Sequence, residues 1–159
     1  MAEPTVFDNP EELKAAVGRH LGYSDWFEVT QERVNQFADA TDDHQWIHVD
    51  PERAAKGPFG RTIAHGYLTL SLVSALLPQL MEVHNISMAI NYGTNKVRFP
   101  SPVPVGSLIR ASADIISADE VPGGVQVTTL TTIEREDSAK PCCVAESIIR
   151  YLASSKPSS

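Results

Sequence analysis

Two periodicities divide the chain. In the C-terminal half, Val125, Val127, Thr129, Thr131 and Ile133 alternate with Gln126, Thr128, Leu130, Thr132 and Glu134. This is the two-residue repeat of a strand with one buried face. Leu108 to Ile116 and Cys142 to Leu152 follow the same rule, and the clusters from Asp119 to Gly124 and from Asp137 to Pro141 supply turns between them. Together these segments predict an antiparallel meander of about four strands beginning near Ile86. Upstream the repeat is helical. From His65 to Glu82 the apolar residues Tyr67, Leu68, Leu70, Leu72, Val73, Ala75, Leu76, Leu77 and Leu80 fall on every face, so this helix has to be wrapped by other structure. Pro78 is placed to bend or shorten its last turns.

One sheet curled round one buried helix covers both hydrophobic surfaces economically, which predicts an α+β fold with the outline of a hotdog, a periodicity that other α+β sandwiches share. Shorter elements precede it. A helix is expected from Pro10 to about His20, ended by Gly22, and a brief strand over Trp26 to Val29. Thr30 is a suitable N-cap for a helix from Gln31 to about Ala40, with Val34 and Phe37 on its buried side. Pro51 suits the first turn of a short helix through Lys56, broken by Gly57-Pro58-Phe59-Gly60. The expectation is one domain over 1–153, followed by a disordered Ser-rich tail over 154–159.

Composition narrows the function classes. The 159 residues suit one domain with a proper core, and 42% hydrophobic with 21% charged residues is the balance of a globular chain. A formal net charge of −7 argues against a nucleic-acid surface, which needs a basic face. The acidic start lacks the plan of a signal peptide, and the apolar run from Ile63 to Leu77 is shorter than the ~20 residues that span a bilayer. A cytoplasmic protein without a membrane partner is expected. Cys142 and Cys143 are adjacent, an arrangement poorly suited to a disulfide or a zinc site.

Candidate chemistry lies in two places. Asp39 to Asp50 gathers acidic residues and the two histidines His44 and His48 between two helices. A loop on a rigid scaffold is where reactive groups tend to sit, although a solvated turn capped by Asp42 or Asp43 accounts for the polar residues equally well. His44 and His48, with Asp43, have a spacing that could serve zinc, but Gln45 stands where a metalloprotease places its glutamate, so no metal is expected. The second place is Gly66, which opens the apolar helix. Unpaired N–H groups at Gly66 and Tyr67 form a natural oxyanion site, unless the glycine serves only tight packing. His65 just before it is expected to hold the turn.

The segment Asp43-His44-Gln45-Trp46-Ile47-His48 resembles the hallmark Asp-x-Asn-Pro-Leu/Ile-His of the MaoC-like dehydratases, the family of (R)-specific 2-enoyl-CoA hydratases. Ile63-Ala64-His65-Gly66 and Arg98-Phe99 with Pro102-Val103 and Gly106 are similar to two further blocks of that family, in the same order and spacing. The resemblance covers roughly residues 25 to 152. It implies a catalytic acid/base pair at Asp43 and His48, an oxyanion N–H at Gly66, and an ordering role for Ser74. Gln45-Trp46 replaces Asn-Pro, which bears on the turn shape and acyl pocket, and Ser107 stands where an aspartate often follows the glycine. The implied activity is reversible syn addition of water to trans-2-enoyl-CoA, giving the (R)-3-hydroxyacyl product. The thioester is itself the substrate, carried on CoA or acyl-carrier protein, and no separate cofactor is implied; the implied assembly is a homodimer. Lys96 and Arg98 alternate with Val97 and Phe99, so they are expected on one face of a strand, either meeting CoA phosphates or facing solvent. Rival functions are thioester hydrolysis on the same fold, a dehydratase subunit of fatty-acid synthesis, and a silent acyl-binding subunit.

Overall fold

The computed structural model describes residues 2–154. All of the expected tail except Ser154 lies outside the described residues. The chain opens with β1 (Thr5–Phe7) and a 3-10 helix, Pro10–Ala16. Asn9 caps that helix by accepting from the Glu12 N–H, and Leu13 and Ala16 are its buried contacts. It is shorter than the expected helix to His20, because Gly18, at φ +93°, turns the chain out of the helix. His20–Tyr23 is instead a strand, β2, and Phe27–Glu28 forms β3.

α1 (Gln31–Thr41) starts where expected, with the Thr30 hydroxyl accepting from the Arg33 N–H. It buries Val34 and Ala38, with Phe37 half-buried. Two short helices follow, α2 (Trp46–Val49) and α3 (Pro51–Ala55); the first was expected to be loop. The apolar helix is bent into α4 (Gly66–Ser71), α5 (Val73–Leu76) and a 3-10 turn, Leu77–Gln79. Pro78 has no N–H for the helical ladder, so the helix ends there and not at Glu82. Met81–Val83 becomes β4, paired in parallel with β1. Nor is the helix wrapped on every side. Leu68, Leu72, Val73 and Leu76 are buried, while Tyr67, Ser71, Ser74 and Ala75 are exposed within the single chain.

The large sheet is built from β5 (Ile86–Arg98), β6 (Leu108–Val121), β7 (Gly124–Arg135) and β8 (Cys143–Ala153), joined by β2 and β3. Alternation holds as expected: Ile109, Ala111, Ala113 and Ile115 of β6 are buried, and so are Val125, Val127, Thr129, Thr131 and Ile133 of β7. Thr129 and Thr131 offset the cost of burial through a 3.2 Å hydroxyl pair. Strand order departs from a simple meander. The order is β2-β6-β7-β8-β5, so β5 lies on the far side of β8 and never touches β6. The connection over 99–107 therefore crosses the end of the domain. It carries Pro100, Pro102 and Pro104, and it is bonded to the segment before α4, with Ala64 N–H to the Val103 carbonyl at 2.8 Å and Val105 N–H to the Thr62 carbonyl at 2.9 Å. This antiparallel sheet folded over a bent central helix is a hotdog fold. Cys142 and Cys143 are both buried and unpaired, and burial pushes the Cys143 thiol up to about 11.

Candidate active site

α1 ends in a left-handed residue, Asp42 (φ 60°, ψ 20°), a conformation that aspartate tolerates better than most residues. That turn swings the chain across the helix end and delivers Asp43. Its side chain is 53% exposed, and its Oδ1 accepts a long bond of 3.4 Å from the Gln45 N–H. The single turn of α2 then points His48 inward, where it is 7% exposed. Trp46, in the family's proline position, faces elsewhere. Its ring lies against Gly57, where an added Cβ would sit 3.0 Å from it, and beneath the Arg53 guanidinium at 4.4 Å. The turn is thus clamped from outside, and the indole takes no space beside Asp43 and His48.

His48 is held at three points. Its Nδ1–H donates to the Ile63 carbonyl at 2.7 Å. A carbonyl only accepts, so Nδ1 carries the hydrogen and Nε2 keeps its lone pair. The His48 carbonyl accepts from Gln31 Nε2 at 2.8 Å, and Gln31 Oε1 accepts from the Thr62 hydroxyl at 2.6 Å. On its face, His48 stacks on His65 with ring centroids 3.8 Å apart. The Asp43 carboxylate, His48 and His65 bring ligand-type atoms within 4.8 Å of one another. The two imidazole planes are inclined by only 23°, and His48 Nδ1 and His65 Nε2 are already engaged by main-chain carbonyls. A metal bonds in the plane of each ring, which makes this geometry unsuited to one ion held by both. His44 is not part of the cluster. It pairs with Asp39 at 2.9 Å, on the outer side of the loop.

Burial holds the His48 pKa below its ordinary value of 6.5, with a smaller push from His65; these outweigh the Ile63 carbonyl and Asp43, which draw it up. A base in this state is active when unprotonated. The acid limb of kcat/KM is therefore expected to have its midpoint below pH 6.5, with activity gained as pH rises through the folded-state pKa. A pH series checks this, and a midpoint above pH 7 removes His48 as the base. The same depression contributes to folding stability in full above about pH 6.5, and that contribution is lost as pH falls through the lower, folded value.

Gly66 is the first residue of α4, and among the described residues no acceptor faces its N–H. An added Cβ there would lie 3.1 Å from the Phe99 ring, so the glycine allows the close approach of the proline-rich connection. Phe37, Asp43, His48, Gly66, Tyr67 and Phe99 surround one cleft of about 510 Å³. Three of the sequence-derived residues therefore meet. Ser74 does not join them: it lies eight residues beyond Gly66, about 12 Å along the helix, and lines a separate groove with Leu77, Asn91 and Ile149. Lys96 and Arg98 are exposed on β5 and stay outside the cleft. A bulge between Thr94 and Val97 interrupts the alternation at Lys96, so the shared face expected of the two does not follow. Arg98 Nη1 donates back to the Val97 carbonyl at 2.9 Å.

Sequence reasoning missed Gln31 and Phe99, and it missed how far His65 reaches. A polar residue inside an apolar run signals a buried partner, and His65 had that mark. A model described as MaoC like domain matches residues 12–136. The 3-hydroxyacyl-thioester dehydratase Z of Mycobacterium tuberculosis is 59% identical over 149 residues, covering 93% of this chain and 99% of that protein. Among solved structures, the (R)-hydratase of A. caviae involved in PHA biosynthesis aligns with a TM-score of 0.70 at 27% identity, covering 85% of this chain and 96% of that one. A monoamine oxidase regulatory protein from Archaeoglobus fulgius aligns at 0.76 over 97% and 99% of the two chains; at 24% identity this likeness is one of fold.

Proposed function

Because the chain belongs to the MaoC-like dehydratase family and is a hydro-lyase of that kind, we propose that it is an (R)-specific enoyl-CoA hydratase, adding water reversibly to trans-2-enoyl-CoA. The observation that supports this most is the meeting of the Asp43 carboxylate, the unprotonated Nε2 of His48 and the free Gly66 N–H in one cleft. Water held between Asp43 and His48 attacks C3, and His48 Nε2 takes its proton. The C2–C3 π electrons move toward the thioester oxygen, whose growing charge meets the Gly66 N–H. The pair then returns a proton to C2 from the same face, so addition is syn; attack on the face that the family likeness assigns gives (R)-3-hydroxyacyl-CoA. Run backward, the same steps are a dehydration. Atoms balance without a further cofactor.

The (R)-hydratase of A. caviae and the thioester dehydratase of Mycobacterium tuberculosis are relatives whose names agree with this reading. Contact of Arg98 with the CoA phosphates belongs to the proposal and rests on its being next in sequence to cleft-lining Phe99, with Lys96 two positions behind it. Assembly as a homodimer is supported by β5. It is a 13-residue strand at the sheet edge, with Met88, Ile90 and Tyr92 exposed at alternate positions. A long apolar edge strand is a template for pairing, and a second copy in antiparallel register closes it. No helix among the described residues is long and apolar enough to cross a membrane, and a cytoplasmic site of action is part of the proposal.

Incubation of the purified chain with crotonyl-CoA tests the reading. Enone absorbance is expected to fall without thiol release, and the product to resolve as the (R) enantiomer. Thiol release points to a thioesterase, and an (S) product overturns the assigned face of addition.

A further inference from the structure

His65 is 3% exposed, and its ring makes a single hydrogen bond. Nε2 donates to the main-chain carbonyl of Asp43 at 3.0 Å and lies 3.9 Å from Asp43 Oδ2. The acceptor is a carbonyl, so Nε2 carries the hydrogen and Nδ1 is left bare, without a partner. Asp43 has few other restraints. The residue before it stands in the left-handed region, its side chain is half exposed, and its one further bond is the 3.4 Å contact from Gln45. The residue after His65 is Gly66, and the face of the His65 ring covers His48. One side chain therefore adjoins the carboxylate, the imidazole and the oxyanion N–H.

We propose that His65 is a positioning residue whose Nε2–H, latched to the Asp43 carbonyl, sets the carboxylate in register with Gly66 and His48. This rests on the hydratase reading of the cleft and adds to it a residue that touches no reacting atom. Misplacement by about 1 Å can cost on the order of 10²-fold in rate, so a single main-chain bond is enough to matter. His48 is already held through Ile63 and Gln31, so the latch acts on Asp43.

Two variants separate the donor from the ring. His65→Phe keeps an aromatic face against His48 and loses the donor. His65→Gln loses the ring and keeps an amide N–H at a similar reach. With crotonyl-CoA, the Phe variant is expected to lose about 10- to 10²-fold in kcat with KM within a few-fold of wild type, and the Gln variant to recover most of that loss. On an Asp43→Asn background, His65→Phe is expected to add little, since a carboxylate already removed has no position to lose. Wild-type kcat in the Phe variant, a Gln variant no better than Phe, or full additivity with Asp43→Asn overturns the proposal. Amide hydrogen exchange over 42–45 reads the latch without any substrate: it is expected to quicken in the Phe variant and stay near wild type in the Gln variant. Unchanged exchange in the Phe variant rejects the latch even if the wild type proves inactive on crotonyl-CoA, an outcome that would reject the hydratase reading separately.

Discussion

Exchanging His48 for asparagine is expected to lower kcat on crotonyl-CoA by about 10²- to 10⁴-fold, the usual worth of a positioned acid/base group, with the fold retained. Asparagine places an amide N–H where Nδ1–H now meets the Ile63 carbonyl, so the buried bond at 2.7 Å has a successor. What disappears is Nε2, the lone pair aimed into the cleft. Asp43→Asn removes a charge with almost no change of shape at a half-exposed site, and a loss of similar order is expected. Because both groups act on one water, the double variant should be little worse than the poorer single one. Steady-state kinetics with thermal midpoints on all three variants decides the matter. Normal turnover in either single variant sinks the pair.

Gly66→Pro replaces the amide hydrogen of the proposed oxyanion site by the ring methylene while leaving the helix start sound, and kcat is expected to fall about 10²- to 10³-fold. Proline is favoured at the first helical position, where the N–H has no helical partner. It also requires an extended residue before it, and His65 already has φ −59° and ψ 138°. The control is Gly66→Ala, which carries the same new Cβ but keeps the N–H. That Cβ would lie 3.1 Å from the Phe99 ring, which is 40% exposed and can yield a few tenths of an ångström. A large loss in the proline variant beside a small one in alanine places the effect at the amide nitrogen and not at the new Cβ. Equal losses assign the effect to crowding against Phe99.

The three residues that meet in the cleft were legible because they sit close in sequence or at the ends of local elements. Asp43 and His48 are separated by five positions, and Gly66 marks the start of an apolar run. Thr30 at the head of α1 and the buried alternation of β7 were legible for the same reason, since caps and two-residue periods are local properties. Strand order is not local. β5 is exposed along almost its whole length, so no pattern within it revealed whether it lies beside β6 or, as here, beside β8. Ser74 shows the converse. A helical segment was rightly expected there, though as one element reaching Glu82, but two turns of rise carry Ser74 from the cleft to another groove. The extended helix over Pro10 to His20 failed on one residue, Gly18, whose positive φ is invisible to an apolar count.

The proline-bearing segment over 99–107 is stitched to the chain just ahead of the central helix, and this decides how the cleft can open. With the main chain over 62–64 bonded to that over 103–105, the side chains at the mouth are freer to move than the backbone behind them. The rings of Phe99 and Tyr67, in edge-on contact at 6.3 Å, stand at the rim. Exposed side chains turn over in picoseconds to nanoseconds. A rearrangement of these two aromatic groups, both exposed, is a motion of that timescale.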